Sequence, residues 1–111
     1  MKIIICAIIS VEAKQRENLL SLLQSRLPAV QQQMGCIRYD WAADSAIDTQ
    51  VNVYEEWESE AALEAHFAGD NFASIGKAMR EFGILGASAN KFLVKAEAPV
   101  FNSSGVASIE F

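Results

Sequence analysis

Glu55, His66, Tyr39, Trp41, Trp57 and Phe72 have the residue types that small-molecule chemistry needs. Histidine titrates near pH ~6.5, so His66 is the candidate base. Glu55 lies between Val53 and Trp57 at alternating spacing, on a strand face that the pattern buries. A covered carboxylate needs a hydrogen-bonded partner or it takes up a proton. The candidate partners are His66, from the helix that follows, and the Tyr39 hydroxyl. A structural polar pair tying helix to sheet would look the same. Tyr39, Trp41 and Trp57 are candidate walls of a pocket for a small flat molecule, and Phe72 is a candidate lid. The same residues could fill an ordinary core. The acidic run Glu55, Glu56, Glu58, Glu60 and Glu64 mostly belongs on solvated faces and is not a metal site. Cys6 and Cys36 form no C-x-x-C motif and there is one histidine, which argues against structural zinc.

The elements that must hold these residues are legible from periodicity. Residues 2–10 are an Ile-rich run with strand composition and no alternation, as in a strand covered on both faces. A helix follows from Ala13, with Leu19, Leu20, Leu23, Leu27 and Val30 at helical spacing. Pro28 should bend or break it, and Gly35 should end it. Residues 36–43 alternate, with Ile37, Tyr39 and Trp41 on one face and Cys36, Arg38, Asp40 and Ala42 on the other. Residues 44–49 read as a hairpin loop and 50–57 as a third strand.

Matching the apolar faces of the two strands sets Tyr39 opposite Glu55 and Arg38 opposite Glu56, the latter as an ion pair. Ser59 can cap a helix whose inner side carries Leu63, His66 and Phe67, and Gly69 ends it. Asp70 can cap another, with the stripe Phe72, Ile75, Met79 and Phe82. Asn90 to Ala98 read as a last strand, stopped by Pro99.

The order β-α-β-β-α-α-β predicts an α+β fold: a ferredoxin-like split β-α-β, with an antiparallel sheet and helices on one face. In that arrangement Cys6 and Cys36 lie about two strand spacings apart, roughly 9–10 Å, so they are read as two small buried hydrophobes rather than a disulfide. Residues 1–99 make one domain and 100–111 a tail.

The chain has 111 residues, enough for one domain. Its net charge is −5, from 9 Lys plus Arg against 14 Asp plus Glu. That counts against nucleic acid or an anionic membrane as the main partner. The apolar run Ile3 to Ile9 is far short of the ~20 residues of a membrane helix. Charged residues follow it at once with no small-residue cleavage site, so the expectation is a cytoplasmic protein.

The run Tyr54-Glu55-Glu56-Trp57-Glu58-Ser59-Glu60-Ala61-Ala62-Leu63-Glu64-Ala65-His66 resembles the signature of the antibiotic biosynthesis monooxygenase family, Glu-x-Trp, an acidic helix start, then Ala-His. Pro28 followed by Gly35-Cys36-x-x-Tyr39 is similar to its small quinol monooxygenases. The resemblance covers about residues 2–98. It implies a small dimeric ferredoxin-like protein that oxidises a phenolic or quinol-type aromatic with dioxygen, using no metal, flavin or other cofactor. Glu55, Trp57 and His66 match the family motif, and Tyr39 matches its second-strand aromatic. The sequence departs from relatives at Gln33, where many have Glu. It departs also at Val53, where polyketide-tailoring members have Asn, and at Gly76, where haem-degrading cousins have His.

On this reading His66 is the base, and Glu55 orients its ring and stabilises the imidazolium. Tyr39, Trp41, Trp57 and Phe72 hold the substrate. The alternatives are an isomerase of a small oxygenated metabolite and a ligand-binding dimer without catalysis. One helix layer covers only one sheet face, and the other carries Cys36, Ala42 and Tyr54. A homodimer, sheet to sheet, is therefore expected, as a dimeric α/β barrel burying about 2,000 Å². The tail, with Val106, Ile109 and Phe111 after a flexible 102–105 hinge, reads either as a frayed terminus or, the preferred expectation, as an arm that crosses to the partner and pairs with a sheet edge.

Overall fold

The computed structural model describes residues 1–111. Its strands are β1 (Ile3–Ser10), β2 (Cys36–Ala43), β3 (Gln50–Trp57) and β4 (Gly86–Leu93). Its helices are α1 (Arg16–Gln24), α2 (Leu27–Gln31), α3 (Glu60–Phe67) and α4 (Asp70–Phe82), with a single 3₁₀ turn leading into α1. The sheet runs β2-β3-β1-β4, antiparallel throughout. Each outer strand is reached by a helical crossover, which is the ferredoxin-like topology.

Local chemistry explains most boundaries. Pro28 sits in the first turn of α2, where its missing N–H costs no hydrogen bond, and the helix breaks just before it. The Ser59 hydroxyl accepts the Ala62 N–H at 3.1 Å and caps α3. Gly83, at φ 85°, closes α4 in the left-handed conformation. Asp70 is already the first residue of α4. Gly69 holds the cap position without a side-chain bond, so Asp70 acts by its charge in the first turn.

The helix side of the sheet holds the core. Ile3, Ile5 and Ile9 of β1 pack there with Tyr39, Trp41, Val51, Val53 and Trp57. Leu19 and Leu23 of α1, Val30 of α2, Leu63 of α3 and Ile75 of α4 close over them.

Four expectations change. The last strand begins four residues earlier than Asn90 and ends at Leu93, because Gly86 to Leu93 complete the ladder with β1, Ser10 opposite Gly86. The run Gly86-Ala87-Ser88-Ala89 has weak intrinsic strand preference, and tertiary pairing overrides it. A bulge between Cys36 and Arg38 makes Cys36 rather than Ile37 the neighbour of Trp57. Cys36 thereby joins the core side and Ile37 turns outward, 50% exposed.

Arg38 does stand opposite Glu56, but its guanidinium lies 4.9 Å over the Tyr54 ring. Glu56 instead takes Lys2 at 3.2 Å and the Tyr54 hydroxyl at 2.8 Å. Both cysteines are free, and Cys6 is exposed on the open sheet face rather than buried.

Residues beyond Leu93 also differ from a flexible tail. The 102–105 segment is a tight turn, with Asn102 Oδ1 accepting the N–H groups of Ser104 and Val106 at 3.0 Å each. Phe101 bridges Ala107 across it. This small hairpin gives the molecule extents of 48 × 33 × 21 Å and a radius of gyration of 15.9 Å. A compact chain of this length would have about 13 Å. No helix is long and apolar enough to cross a membrane.

Candidate active site

The face alternation of β2 and β3 aims Tyr39, Trp41, Val53 and Glu55 at the helix layer, with Tyr39 directly opposite Glu55. Above them α4 presents Phe72, Ile75, Gly76 and Met79, and α3 presents Phe67. Between these layers lies a cavity of about 380 Å³. Its open side is at β4, an exposed strand where Ala87 and Ala89 have side chains too short to fill it. The volume falls within the range of small-molecule sites.

Glu55 is the only charged residue among the lining side chains. Its Oε1 accepts the Trp57 indole N–H at 3.0 Å. Burial raises its pKa above the ordinary carboxylate value, and the indole bond opposes part of that rise. The Tyr39 phenol is pushed far above its usual range by burial and then by the Glu55 charge, so it stays protonated. The Trp41 indole N–H lies toward the Tyr39 oxygen, favouring its ionised form, yet it completes no hydrogen bond and is left as a buried, unpartnered donor.

His66 is elsewhere. It is 2% exposed and does not line the cavity. Its ring stacks on Trp57 at 4.5 Å, with Tyr39 and Phe72 edge-on at 5.8 and 5.4 Å. Its Nδ1 lies 2.7 Å from Gln33 Oε1. With the amide oxygen on that side, Nδ1 carries the proton and donates it. Burial lowers the His66 pKa, so the ring is neutral. Gln33, not Glu55, orients this imidazole, and no carboxylate stands against it to stabilise an imidazolium.

Gln33 reaches His66 because Gly35, at φ 82°, turns the chain tightly over α3. A Cβ at Gly35 would collide with the Ala62 methyl. Ala62 and His66 are four residues apart and share one face of α3.

The structure thus brings Glu55, Tyr39, Trp41 and Phe72 to one cavity and leaves His66 and Trp57 behind its wall. The lining residues outside the sequence-based site include Met79 of α4 and Ala87, Ser88 and Ala89 of β4. A run of small residues in a strand carries no functional signal by itself, and this one lay before the Asn90 start expected for the last strand. No three His, Cys, Asp or Glu side chains converge as metal ligands. A second depression, about 390 Å³, lies on the opposite sheet face over Cys6, Ile8, Asn52 and Tyr54. It is the trough of a bare sheet, with no helix to wall it.

A split β-α-β sheet with an apolar slot under its helices and one buried carboxylate defines a class of small ligand-binding α+β proteins. Within that class this chain belongs to the antibiotic biosynthesis monooxygenase family, whose model matches residues 2–78. Among proteins of curated function, none matches its sequence. It is similar in fold to a Deinococcus radiodurans protein described as a candidate antibiotic biosynthesis monooxygenase. That pair has a TM-score of 0.82 and 18% identity, over 90% of this chain and 99% of that one. A Mycobacterium tuberculosis protein is similar at TM-score 0.77 and 19% identity, over 89% of this chain and 100% of the other. A variant of SnoaB, a cofactor-independent oxygenase of Streptomyces nogalater, is similar at TM-score 0.67 and 14% identity, covering 88% and 97% of the two chains.

Proposed function

We propose that this protein is a cofactor-independent monooxygenase of a small phenolic or quinol-type aromatic, and that Glu55 rather than His66 is its base. The observation that carries the reading is the single carboxylate, with raised pKa, in an otherwise apolar cavity beneath aromatic walls. A raised pKa narrows the gap to a phenol and makes proton removal less uphill.

The substrate ring lies against Tyr39, Trp41 and Phe72. Glu55 takes the phenolic proton through the oxygen that does not hold Trp57. The phenolate passes an electron to dioxygen. One oxygen atom enters the ring, and the other leaves as water with the two hydrogens released. A hydroquinone plus dioxygen thus gives a hydroxyquinone plus water. The protein's part is to deprotonate, orient and exclude water. Trp57 acts from behind as a positioning residue, holding the Glu55 carboxylate through its indole N–H, and His66 backs Trp57 by stacking on it. The fold similarity to SnoaB, described as a cofactor-independent oxygenase, agrees with this chemistry.

The test is oxygen uptake with a panel of hydroquinones. Wild type should consume oxygen, and Glu55→Gln should lose about 100-fold or more. Undiminished uptake in Glu55→Gln would remove the carboxylate from the mechanism.

A second reading, binding without turnover, is favoured by the enclosure of the only histidine away from the cavity. Thermal stabilisation by a hydroquinone without oxygen uptake would select it.

The working unit in either reading is a homodimer joined at the open sheet face, where Cys6, Ile8, Tyr54 and Phe92 lie uncovered in one protomer. Ile8 and Phe92 are 41% and 53% exposed there.

A further inference from the structure

We infer that the C-terminal hairpin is an exchange arm that docks on a second copy of this chain, along the uncovered helix side of β4 at the mouth of that copy's cavity. The inference rests on the homodimer proposed above and adds a part of the partner to each site.

The hairpin is a built element. The Asn102 N–H donates to the Val106 carbonyl at 2.9 Å, and the Ser108 N–H to the Val100 carbonyl at 2.8 Å. Gly105, at φ 77°, completes the turn. Yet Phe101, Ile109 and Phe111 are 62%, 95% and 85% exposed. A shaped element that buries none of its large apolar side chains gains its stability from something outside its own chain. Its root is fastened. The Val94 N–H donates to the Lys2 carbonyl at 2.9 Å, and Lys2 Nζ binds Glu97 at 2.7 Å. Past Glu97 no hydrogen bond joins the hairpin to the body.

The receptor is on the same molecule. Ala87, Ala89, Lys91 and Leu93 face the helix side of β4, as partners of Ile9, Ala7, Ile5 and Ile3. The helix layer stops at β1, so every residue of β4 is exposed. The outer edge of β4 pairs with no strand, which leaves its backbone groups free to meet an added one.

Charge selects the occupant. Lys91 is the one charge on that strip and Glu110 the one charged side chain of the arm, and neither has an ion-pair partner within its own chain. An arm without a cation, on a chain of net charge −5, is not drawn to an anionic lipid surface. Each chain carries one arm and one receptor, so two copies related by a two-fold axis satisfy both and close the assembly.

The test uses the full chain. Equal amounts of ¹⁴N- and ¹⁵N-labelled protein are exchanged and treated with a carbodiimide, which joins a carboxylate to an amine in direct contact. The expected product is a Lys91–Glu110 link between chains of different label. Lys91→Glu should lower Tm and lose the link, and Glu110→Lys added to it should restore Tm. Phe101→Ser with Phe111→Ser should lower Tm by about 5 °C or more while the dimer persists in sedimentation. A link found only within one chain, or no link, overturns the inference, as does an unchanged Tm in the double serine variant. Binding of wild type but not that variant to phosphatidylcholine vesicles would reassign the arm to lipid and also overturn it. A monomeric wild type would fail the dimer itself, a result separate from a dimer whose arms do not link.

Discussion

Glu55 and His66 are both displaced from their ordinary pKa values by burial, but the two displacements act on stability in opposite directions. His66 is held below the 6.5 of a free imidazole. Below that pH the unfolded chain binds a proton that the folded chain refuses, so stability falls as pH drops from neutrality through 6.5. Glu55 is held above 4.5. Its folded form keeps a proton that the unfolded chain has released, so its contribution is full below 4.5 and is lost as pH rises through the folded value. Thermal melts from pH 7.5 to 5.5 should therefore show acid destabilisation that is reduced in His66→Gln. At pH 7.5 Glu55→Gln should melt at the wild-type temperature or above it, because the amide oxygen still accepts the Trp57 N–H and no buried charge remains. A Glu55→Gln protein that melts well below wild type would mean that the carboxylate is a structural tie.

The turn from α2 into β2 shows how an element places a residue it does not contain. Gly35 brings Gln33 against α3, and the Gly35 carbonyl accepts the Glu58 N–H at 2.9 Å. Gly35→Ala meets two penalties, a left-handed φ and a collision with Ala62. Gly83 has a similar φ of 85° but nothing within 4 Å of an added Cβ. Urea unfolding should cost Gly83→Ala about 1 kcal/mol, the conformational part alone. Gly35→Ala should cost at least about 2 kcal/mol, and its His66 ring should lose its fixed orientation. Equal costs for the two would show that α3 yields to the added methyl. The bulge in β2 works the same way. One extra residue rotates Cys36 inward, next to Trp57, while Tyr39 and Trp41 keep their positions facing the cavity.

For the molecule as a whole, half of the sheet is the deciding surface. The helices cover one face, and the other leaves Cys6, Ile8, Tyr54 and Phe92 uncovered in a single protomer. Sedimentation at micromolar concentration should give twice the 12.1 kDa of the chain. Tyr54→Lys, at the centre of that face, should shift the protein toward monomer. A monomeric wild type at those concentrations would overturn the face-to-face assembly, whose expected burial is about 2,000 Å².

Periodicity and punctuation were enough to determine β1, β2, β3, the break at Pro28, the Ser59 cap and the antiparallel register with Tyr39 opposite Glu55. Each of these depends on neighbours in sequence or on matching one apolar face to another. The position of β4 did not follow the same rule, because its small residues become a strand only when β1 supplies a partner. Composition also marked Glu55 as a carboxylate on a covered face. What only the tertiary structure decided was its company. Hydrogen bonds between side chains depend on distances of a few tenths of an ångström between elements that are remote along the chain. His66 therefore turned to Gln33, 33 residues away in sequence. Glu55 turned to Trp57, two residues along its own strand. The cavity formed where the small residues of β4 left space that no local pattern records.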